Sequence, residues 1–241
     1  MKSTKQKKST LRNAIETVLI VFIAIMVRSV LFEPWVVPSG SMLPTLLIGD
    51  RVIVNKYSYG ISRYSFPFSP NLFSGRKFVF EKPERGDIVV FETDRVYIKR
   101  LIGLPGDKVQ MVAGELYIND QAVPKIPTDP FQNYNGQMLD SYLETLPNNV
   151  EYRVLDFIDG STYDNSGPYV VPENHYFFMG DNRDDSSDSR NMAGTIGFVY
   201  EDHLLGKVSR VFFSSQEISW YNIPGIILNM RSGRFFYPLA R

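Results

Sequence analysis

The sequence predicts a mainly β, largely antiparallel protein preceded by one N-terminal transmembrane helix. After Phe32 the apolar runs are short, rich in Val, Ile, Tyr and Phe, and separated by Gly, Pro, Asn and Asp. This pattern is typical of antiparallel strands joined by turns. Before that point a lysine-rich stretch leads into an apolar run, which is the pattern of a membrane anchor.

Length and composition exclude several classes of protein. The 241 residues are enough for one substantial core with a smaller satellite, so no second independent domain is expected. Basic and acidic side chains number 26 each, so no overall charge favours nucleic acid as a partner. The absence of cysteine excludes disulfides, cysteine-based zinc sites and a cysteine nucleophile.

The N-terminal segment divides into a basic flank, residues 1–13, and a predicted transmembrane helix, residues 14–32. At about 1.5 Å per residue this helix would cover roughly 28 Å, close to the thickness of the hydrocarbon core. Glu16 and Arg28 lie near its ends, where long polar side chains can reach the interface. Phe-Glu-Pro-Trp follows, and these bulky residues do not form the small-x-small site of a cleaved signal. We therefore expect a retained anchor rather than a cleaved signal or a buried helix.

The predicted orientation places the basic flank in the cytoplasm and residues 33–241 across the membrane, by the positive-inside rule. Residues 113–172 are expected to contain an inserted smaller β lobe, because the stretch from Pro124 to Pro172 is polar and rich in Asn, Asp and Pro. The candidate strands are Arg51–Tyr57, Asp87–Glu92, Val96–Gly103, Lys108–Val112, Glu115–Ile118, Tyr152–Asp156, His175–Met179 and Gly206–Phe213.

Aromatic residues concentrate in two places. Eight lie between Tyr57 and Phe80, and the tail from Trp220 to Arg241 places further rings beside arginines. Two interpretations stay open, because rings of this kind either fill a core or lie at the headgroup level of a bilayer.

A first candidate functional motif is Pro-Ser-Gly-Ser-Met-Leu-Pro-Thr at residues 38–45. Proline and glycine fix a tight, exposed backbone. Ser41 in such a turn can present its hydroxyl on one side and its amide N–H to an oxyanion on the other. Ser-Gly-Ser is also ordinary loop sequence, so this motif alone does not decide the function.

A second motif is the β-patterned run from Tyr97 to Gly103, which closes in a Leu-Pro-Gly-Asp turn. Strand alternation places Lys99 on one face and Arg100 on the other, so one of the two cations points where apolar residues point. An exposed edge strand would leave Lys99 a solvated cation. A desolvated lysine, in contrast, can act as a base near neutral pH.

A third motif is Gly-Asp-Asn-Arg-Asp-Asp-Ser-Ser-Asp-Ser-Arg at residues 180–190. It lacks the mid-loop glycine and terminal glutamate of an EF-hand, so no metal site is expected. Its arginines and aspartates suit a self-paired loop that holds Ser186 or Ser187 in place. A histidine base is a further alternative, but neither His175 nor His203 lies in a nucleophile-elbow or His-Asp context.

Together, in this order and after an N-terminal anchor, the three motifs resemble the bacterial type I signal peptidases, which use a Ser-Lys dyad. The resemblance covers most of the chain after Phe32 and is strongest at residues 38–45, 87–107 and 180–190. The inserted lobe matches only loosely, and some members carry two membrane spans where this chain shows one. The resemblance implies an antiparallel β fold and a membrane-bound serine endopeptidase, a hydrolase that removes signal peptides from exported preproteins after a small-x-small motif.

The same resemblance implies the roles of individual residues. Ser41 would be the nucleophile and Lys99 its general base, in an acyl-enzyme mechanism that needs no cofactor. Ser39 and Ser41 would form the oxyanion hole, and Ser186 would orient the lysine.

Asp188 and Arg190 look like the family's structural salt pair. Residues that flank the proposed dyad are expected to line the substrate pocket, namely Val37, Met42, Leu46 and Ile98.

The implied location is the bacterial cytoplasmic (inner) membrane, with the catalytic domain on the periplasmic side. The implied partners are preprotein signal peptides and membrane lipid, and contact with the export machinery stays open. Self-cleaving transcriptional repressors share the Ser-Lys chemistry, but nothing in this sequence resembles their DNA-binding module. A catalytically inactive, membrane-tethered β-rich binding protein remains the alternative function.

Overall fold

The computed structural model describes residues 12–21, 32–65, 75–194, 196–219 and 221–239. In these ranges the chain is mainly β, and all strand pairs within its sheets are antiparallel, which confirms the predicted fold class. The strands are β1 (Phe32–Val36), β2 (Asp50–Asn55), β3 (Ile88–Glu92), β4 (Val96–Gly103), β5 (Lys108–Val112), β6 (Glu115–Ile118), β7 (Gln121–Ala122), β8 (Lys125–Gln132), β9 (Met138–Thr145), β10 (Glu151–Leu155), β11 (Ser166–Val170), β12 (His175–Met179), β13 (Val199–Tyr200), β14 (Leu204–Ser214) and β15 (Tyr237–Pro238).

Helical structure in the described ranges is limited. Helix α1 covers residues 12–21 and helix α2 covers Ile223–Leu228. Single 3-10 turns occur at Arg63–Ser65, Glu201–His203 and Ser232–Arg234.

Most of the predicted basic flank and half of the predicted transmembrane helix lie outside the described residues, at positions 1–11 and 22–31. Among the helical segments that are described, none combines the length and the apolar character that crossing a bilayer requires.

The largest sheet has the strand order β1-β2-β14-β3-β4-β12-β13, with β15 beside β14. A four-stranded sheet has the order β11-β5-β6-β7, and a three-stranded sheet has the order β10-β9-β8. The central strand β14 pairs with β2 along its later part and with β3 along its first residues, with irregular register in both pairings. This long strand therefore connects the β1–β2 edge to the strands that follow.

Both faces of the large sheet are covered by core. In β3, Ile88 and Val90 belong to a cluster with residues of β2 and β14, whereas Val89 and Phe91 belong to a second cluster on the other face. Burial on both faces explains why β3 reads as a continuous apolar run instead of an alternating one.

The predicted lobe at residues 113–172 is joined to the rest of the core. A third cluster combines Ile102 and Phe177 of the large sheet with Leu116 of β6 and with Tyr152 and Val154 of β10. The lobe therefore packs through a shared core, and shifts in its strands are transmitted to the strands of the large sheet.

Candidate active site

The Ser41 motif forms a tight turn between β1 and β2. The Leu43 N–H donates to the Gly40 carbonyl at 3.0 Å, and the Leu46 N–H donates to the Met42 carbonyl at 2.9 Å. Met42 packs into the cluster beneath β2 and β14, whereas Leu43 packs against the lobe in a separate cluster. The turn is therefore anchored on two sides, and the Ser41 side chain between them stays partly exposed.

Lys99 meets this turn from β4. Its Nζ is hydrogen-bonded to Ser41 Oγ, although the two residues are 58 positions apart. Lys99 is only 3% exposed. Burial lowers the pKa of Lys99 from 10.5 to about 8, with Arg190 also lowering it, while Asp188, Asp181 and Asp185 act in the opposite direction. The structure thus brings together a serine hydroxyl and an amine whose pKa is about 8 instead of 10.5.

One edge of β4 is open next to the dyad. β3 pairs with β4 from Val96 to Arg100, but β12 pairs only with Arg100, Leu101 and Gly103. In the described part of the chain, residues 96–99 therefore have a strand neighbour on one side only. An extended peptide can add to such an edge through main-chain hydrogen bonds.

A cleft of about 380 Å³ runs along this edge and over the dyad. The predicted pocket residues Val37, Met42 and Ile98 line it, together with Ser39, Ser41 and Lys99. The sequence analysis did not assign several other lining residues to the pocket, namely Trp35, Arg95, Tyr97, Asp185 and Ser187.

The prediction that Leu46 lines the pocket is wrong. Leu46 is completely buried in the cluster beneath β2 and β14 and is not part of the cleft. The hydrogen bond from Leu46 to Met42 makes one helical turn of this segment. That turn carries the Leu46 side chain down into the core, away from the substrate side.

The predicted oxyanion residue Ser39 is exposed on the cleft, and its Oγ lies 3.5 Å from Ser41 Oγ. At this distance the Ser39 hydroxyl could donate to the carbonyl oxygen of a substrate that Ser41 attacks. Its role in an oxyanion hole stays a prediction.

Ser186 is buried beside the turn. A Cβ on Gly180 would clash with the Ser186 hydroxyl and would lie 2.5 Å from the Ser41 carbonyl oxygen, so this glycine permits the close approach of the two segments. Within the described ranges, Ser186 Oγ has no hydrogen-bond partner. Its role in orienting Lys99 stays a prediction, and a buried hydroxyl without a partner is uncommon enough to require a reason.

Asp188 and Arg190 form a buried bidentate ion pair, with Nε and Nη2 each 2.9 Å from a carboxylate oxygen. Asp188 also accepts the Gly180 N–H at 3.0 Å. Burial alone would raise the pKa of Asp188, but Arg190, this N–H and Lys99 outweigh burial and hold it below its usual value. The pair closes the 180–190 loop on itself beside the lysine.

Two residues of the same loop have roles that the sequence did not indicate. Asn182 donates its backbone N–H to the Ser41 carbonyl and its side-chain amide to the Gly40 carbonyl, both at 3.1 Å. Asp181 binds Arg100 with two hydrogen bonds of 2.7 Å. The motif itself contains both residues, but only the packing of the loop against the turn reveals their partners.

Neither histidine supports the alternative base. His175 and His203 are absent from the residues that line the cleft, and His175 Nδ1 lies 2.8 Å from the Glu173 carbonyl oxygen.

Three carboxylates, of Asp156, Asp164 and Asp184, lie close together outside the cleft. The Lys125 ammonium pairs with Asp156 in this group.

Comparisons with known proteins agree on one family. The family model described as "Signal peptidase, peptidase S26" matches residues 11–213. A signal peptidase I from Rickettsia bellii is 40% identical over 93% of this chain and 80% of its own length, and one from Rickettsia typhi is 41% identical over 93% and 88%. A solved signal peptidase I from Enterococcus faecalis is 27% identical, and the match covers 53% of this chain and 97% of that one with a TM-score of 0.32.

Proposed function

Because the chain belongs to the signal peptidase family, peptidase S26, we propose that Ser41 and Lys99 perform its reaction as nucleophile and general base. Family membership makes the protein a serine endopeptidase, a hydrolase that removes signal peptides from preproteins. The observation that carries the assignment of residues is the hydrogen bond between Lys99 Nζ and Ser41 Oγ at the floor of the cleft.

The lowered pKa of Lys99 supports its role as the base. With a pKa of about 8, roughly one Lys99 in ten is neutral at pH 7, against roughly one in a few thousand for an exposed lysine. The neutral amine accepts the Ser41 proton while Oγ attacks the scissile carbonyl carbon. The resulting ammonium then gives this proton to the leaving amine, and the acyl-enzyme forms.

Hydrolysis of the acyl-enzyme repeats the same steps with water as the nucleophile. Lys99, neutral again, takes a proton from water, and the attack releases the new carboxyl end and free Ser41. We assign the oxyanion of both tetrahedral intermediates to the Ser41 N–H and the Ser39 hydroxyl, because both residues line the cleft. The unpartnered hydroxyl of buried Ser186 is assigned to holding the Lys99 amine in position.

The open edge of β4 supports an extended binding mode for the substrate. A peptide that pairs with residues 96–99 would pass its scissile bond over Ser41 while alternate side chains point into the cleft. Val37, Met42 and Ile98 line that cleft, and Val37 and Met42 are almost completely buried. Such walls leave shallow pockets, which suits a small-x-small sequence before the cut.

We further propose that the predicted transmembrane segment crosses the cytoplasmic membrane, with residues 1–13 inside and the catalytic domain on the periplasmic side. Its predicted end at Phe32 moves to residue 31, because Phe32 pairs with Asn55 as the first residue of β1. The exposed side chains of Phe78 (74%), Val79 (53%) and Phe80 (70%) support contact of this domain with lipid. Lys77, just before this segment, pairs with Ile61 in the stretch that follows β2, and β1 begins opposite the end of β2. A lipid surface at the exit of the anchor would cover these side chains.

The two interpretations of the aromatic residues therefore apply to different rings. Tyr59 is 1% exposed and belongs to the core. Phe78, Phe80 and, in the tail, Tyr221 are exposed and available to a bilayer. Phe66, Phe68, Phe73 and Trp220 lie outside the described residues.

The proposed dyad is tested by cleavage of a preprotein with the full-length enzyme in detergent or vesicles. Ser41→Ala should be inactive, and Ser187→Ala, another serine of the same cleft, should retain turnover. Cleavage by Ser41→Ala at the wild-type rate would show that the nucleophile is misassigned. A wild-type protein that binds preprotein without cleaving it would favour the inactive binding protein.

A further inference from the structure

The carboxylate of Glu144 in β9 is completely buried, far along the chain from either residue of the dyad. Both terminal nitrogens of Arg183 donate to it, Nη1 to Oε1 at 2.8 Å and Nη2 to Oε2. The Tyr152 hydroxyl donates to Oε2 at 2.6 Å. Each carboxylate oxygen of Glu144 therefore accepts at least one hydrogen bond from a side chain that is itself buried.

Arg183 connects this carboxylate to the loop beside the dyad. Its N–H donates to the Leu155 carbonyl of β10 at 2.8 Å, and its own carbonyl accepts from Arg190 Nη2 at 2.7 Å. Arg190 in turn holds Asp188, which accepts the Gly180 N–H. The chain of contacts thus runs without a gap from the lobe into the loop that packs on Lys99.

The same lobe also touches the nucleophile turn directly. Leu43 is buried with Leu139 of β9 and Leu155 of β10 in one small cluster. Asn182, the neighbour of Arg183, holds the carbonyl of Ser41. The turn that carries Ser41 is therefore backed by strands β9 and β10, directly through Leu43 and indirectly through the 180–190 loop.

We propose that Glu144 is a positioning residue for the reaction of Ser41 and Lys99. It fixes the direction of the Arg183 guanidinium and thereby holds the 180–190 loop against the nucleophile turn. A bidentate carboxylate–guanidinium pair constrains direction as well as distance, which apolar packing does not. Buried ion pairs often add little net stability over apolar residues of the same size, which favours a geometric role for this one.

The inference rests on the proposed dyad, so its experiment separates geometry from stability. Glu144→Gln keeps the size and removes the charge. The triple variant Glu144→Leu, Arg183→Met, Tyr152→Phe replaces the whole network by apolar groups and leaves no unpaired charge. Asp107→Asn is the matched control, because it breaks the Arg85–Asp107 ion pair, whose side chains otherwise bond to Ile102, Leu104 and Asn119 among the described residues, outside the 180–190 loop.

Full-length variants are compared for thermal unfolding, kcat, KM and the pH dependence of kcat. We expect the triple variant to unfold near the wild-type temperature and still lose kcat by about 10²-fold, the effect of misplacing reacting groups by about 1 Å. KM should change little. Water that reaches Lys99 should move the pH limb upward, because burial is the largest influence on the Lys99 pKa and lowers it; Arg190 also lowers this pKa, while Asp188, Asp181 and Asp185 raise it. Glu144→Gln should share the kinetic loss, and Asp107→Asn should not.

Each other outcome has one meaning. If the triple variant has both the unfolding temperature and the kcat of the wild type, while Glu144→Gln has neither, the network acts through stability. The positioning role is then overturned. The same conclusion follows if Glu144→Gln, measured per folded molecule, matches Asp107→Asn in kcat and pH limb. Failure of the dyad itself would appear separately, as turnover by Ser41→Ala in the same assay.

Discussion

Lys99 and Arg100 are neighbouring cations on β4, and both are buried, but they lie on opposite faces of the sheet and have different partners. The register of the sheet pairs Lys99 with Val89 and Arg100 with Ile88, which belong to clusters on opposite faces. On one face the lysine meets the hydroxyl of Ser41. On the other face the arginine meets the carboxylate of Asp181, with both side chains 1% exposed.

The difference teaches what burial does to a cation. Burial disfavours charge at both positions, and at Lys99 it prevails and lowers the pKa to about 8. At Arg100 burial also acts to lower the pKa, but Asp181 outweighs it and the pKa ends above its ordinary value. A buried cation next to a hydroxyl becomes a base, whereas one paired with a carboxylate stays a structural charge.

The largest effect is expected when the buried lysine on the cleft face is replaced by an arginine, the residue found on the other face. Lys99→Arg keeps a long cationic side chain but cannot lose its proton at any working pH. We expect a folded enzyme whose turnover falls by at least about 10⁴-fold, the contribution of a base that activates a nucleophile. Preprotein cleavage measures the loss, and Lys82→Arg, at an exposed lysine, is the control.

Substantial cleavage by Lys99→Arg would contradict the Ser-Lys mechanism. The wild-type enzyme should show a limb in kcat that rises through about pH 8, as neutral Lys99 accumulates.

Asp181→Asn should break the contrast from the other face, because it leaves the Arg100 guanidinium buried without a carboxylate. We expect a loss of about 3 to 5 kcal/mol in the free energy of unfolding, measured by chemical denaturation. Asp159→Asn, at an exposed acid, should leave stability unchanged.

In Asp181→Asn molecules that remain folded, the pH limb of kcat should move to lower pH, because Asp181 acts to raise the pKa of Lys99. A shift to higher pH would show that the loop has opened to water instead.

Ser39→Ala sharpens the contrast by asking what the hydroxyls of the cleft face contribute. Removal of one oxyanion donor should lower kcat by about 10²- to 10³-fold with the fold intact. Ser39 is exposed, so its hydroxyl can be removed without a change in the core. An effect on KM alone, in steady-state kinetics, would assign Ser39 to substrate binding.

Lys99→Met tests the energetic cost of the buried lysine. The unfolded lysine keeps its proton up to about pH 10.5, and the folded one loses it near pH 8. Between these values the unfolded state binds more protons, so the wild-type stability rises with pH and the full cost is present below pH 8. The two pKa values correspond to roughly 3 kcal/mol.

Lys99→Met should therefore be more stable than the wild type at pH 7, by up to roughly 3 kcal/mol, with the advantage shrinking between about pH 8 and 10.5. Denaturation curves at several pH values measure this, with Lys82→Met as the control. A constant difference at all pH values would mean that the methionine gains stability through packing alone.

The sequence by itself determined the fold class and most strands of the large sheet. β4 and β12 of the large sheet, and β5 and β6 of the four-stranded sheet, have the predicted bounds, because alternating or continuous apolar runs between turn residues report strand burial directly. β8 and β9 were missed, since β8 contains two prolines and lies at the edge of its sheet, where proline is tolerated. The apolar signal of such strands is weak along the chain.

For the site, the sequence and its resemblance to a family selected Ser41 and Lys99, and alternation placed Lys99 and Arg100 on opposite faces. Alternation predicted that one of these two cations points where apolar residues point. In the structure both cations are buried, because core residues pack on both faces of β4. Only the tertiary structure decided that Asp181 pairs with Arg100, that Leu46 points into the core, and that Glu144 binds Arg183 of the 180–190 loop. Such pairings join residues tens of positions apart, and local sequence patterns carry no information about which distant side chain will fill a buried space.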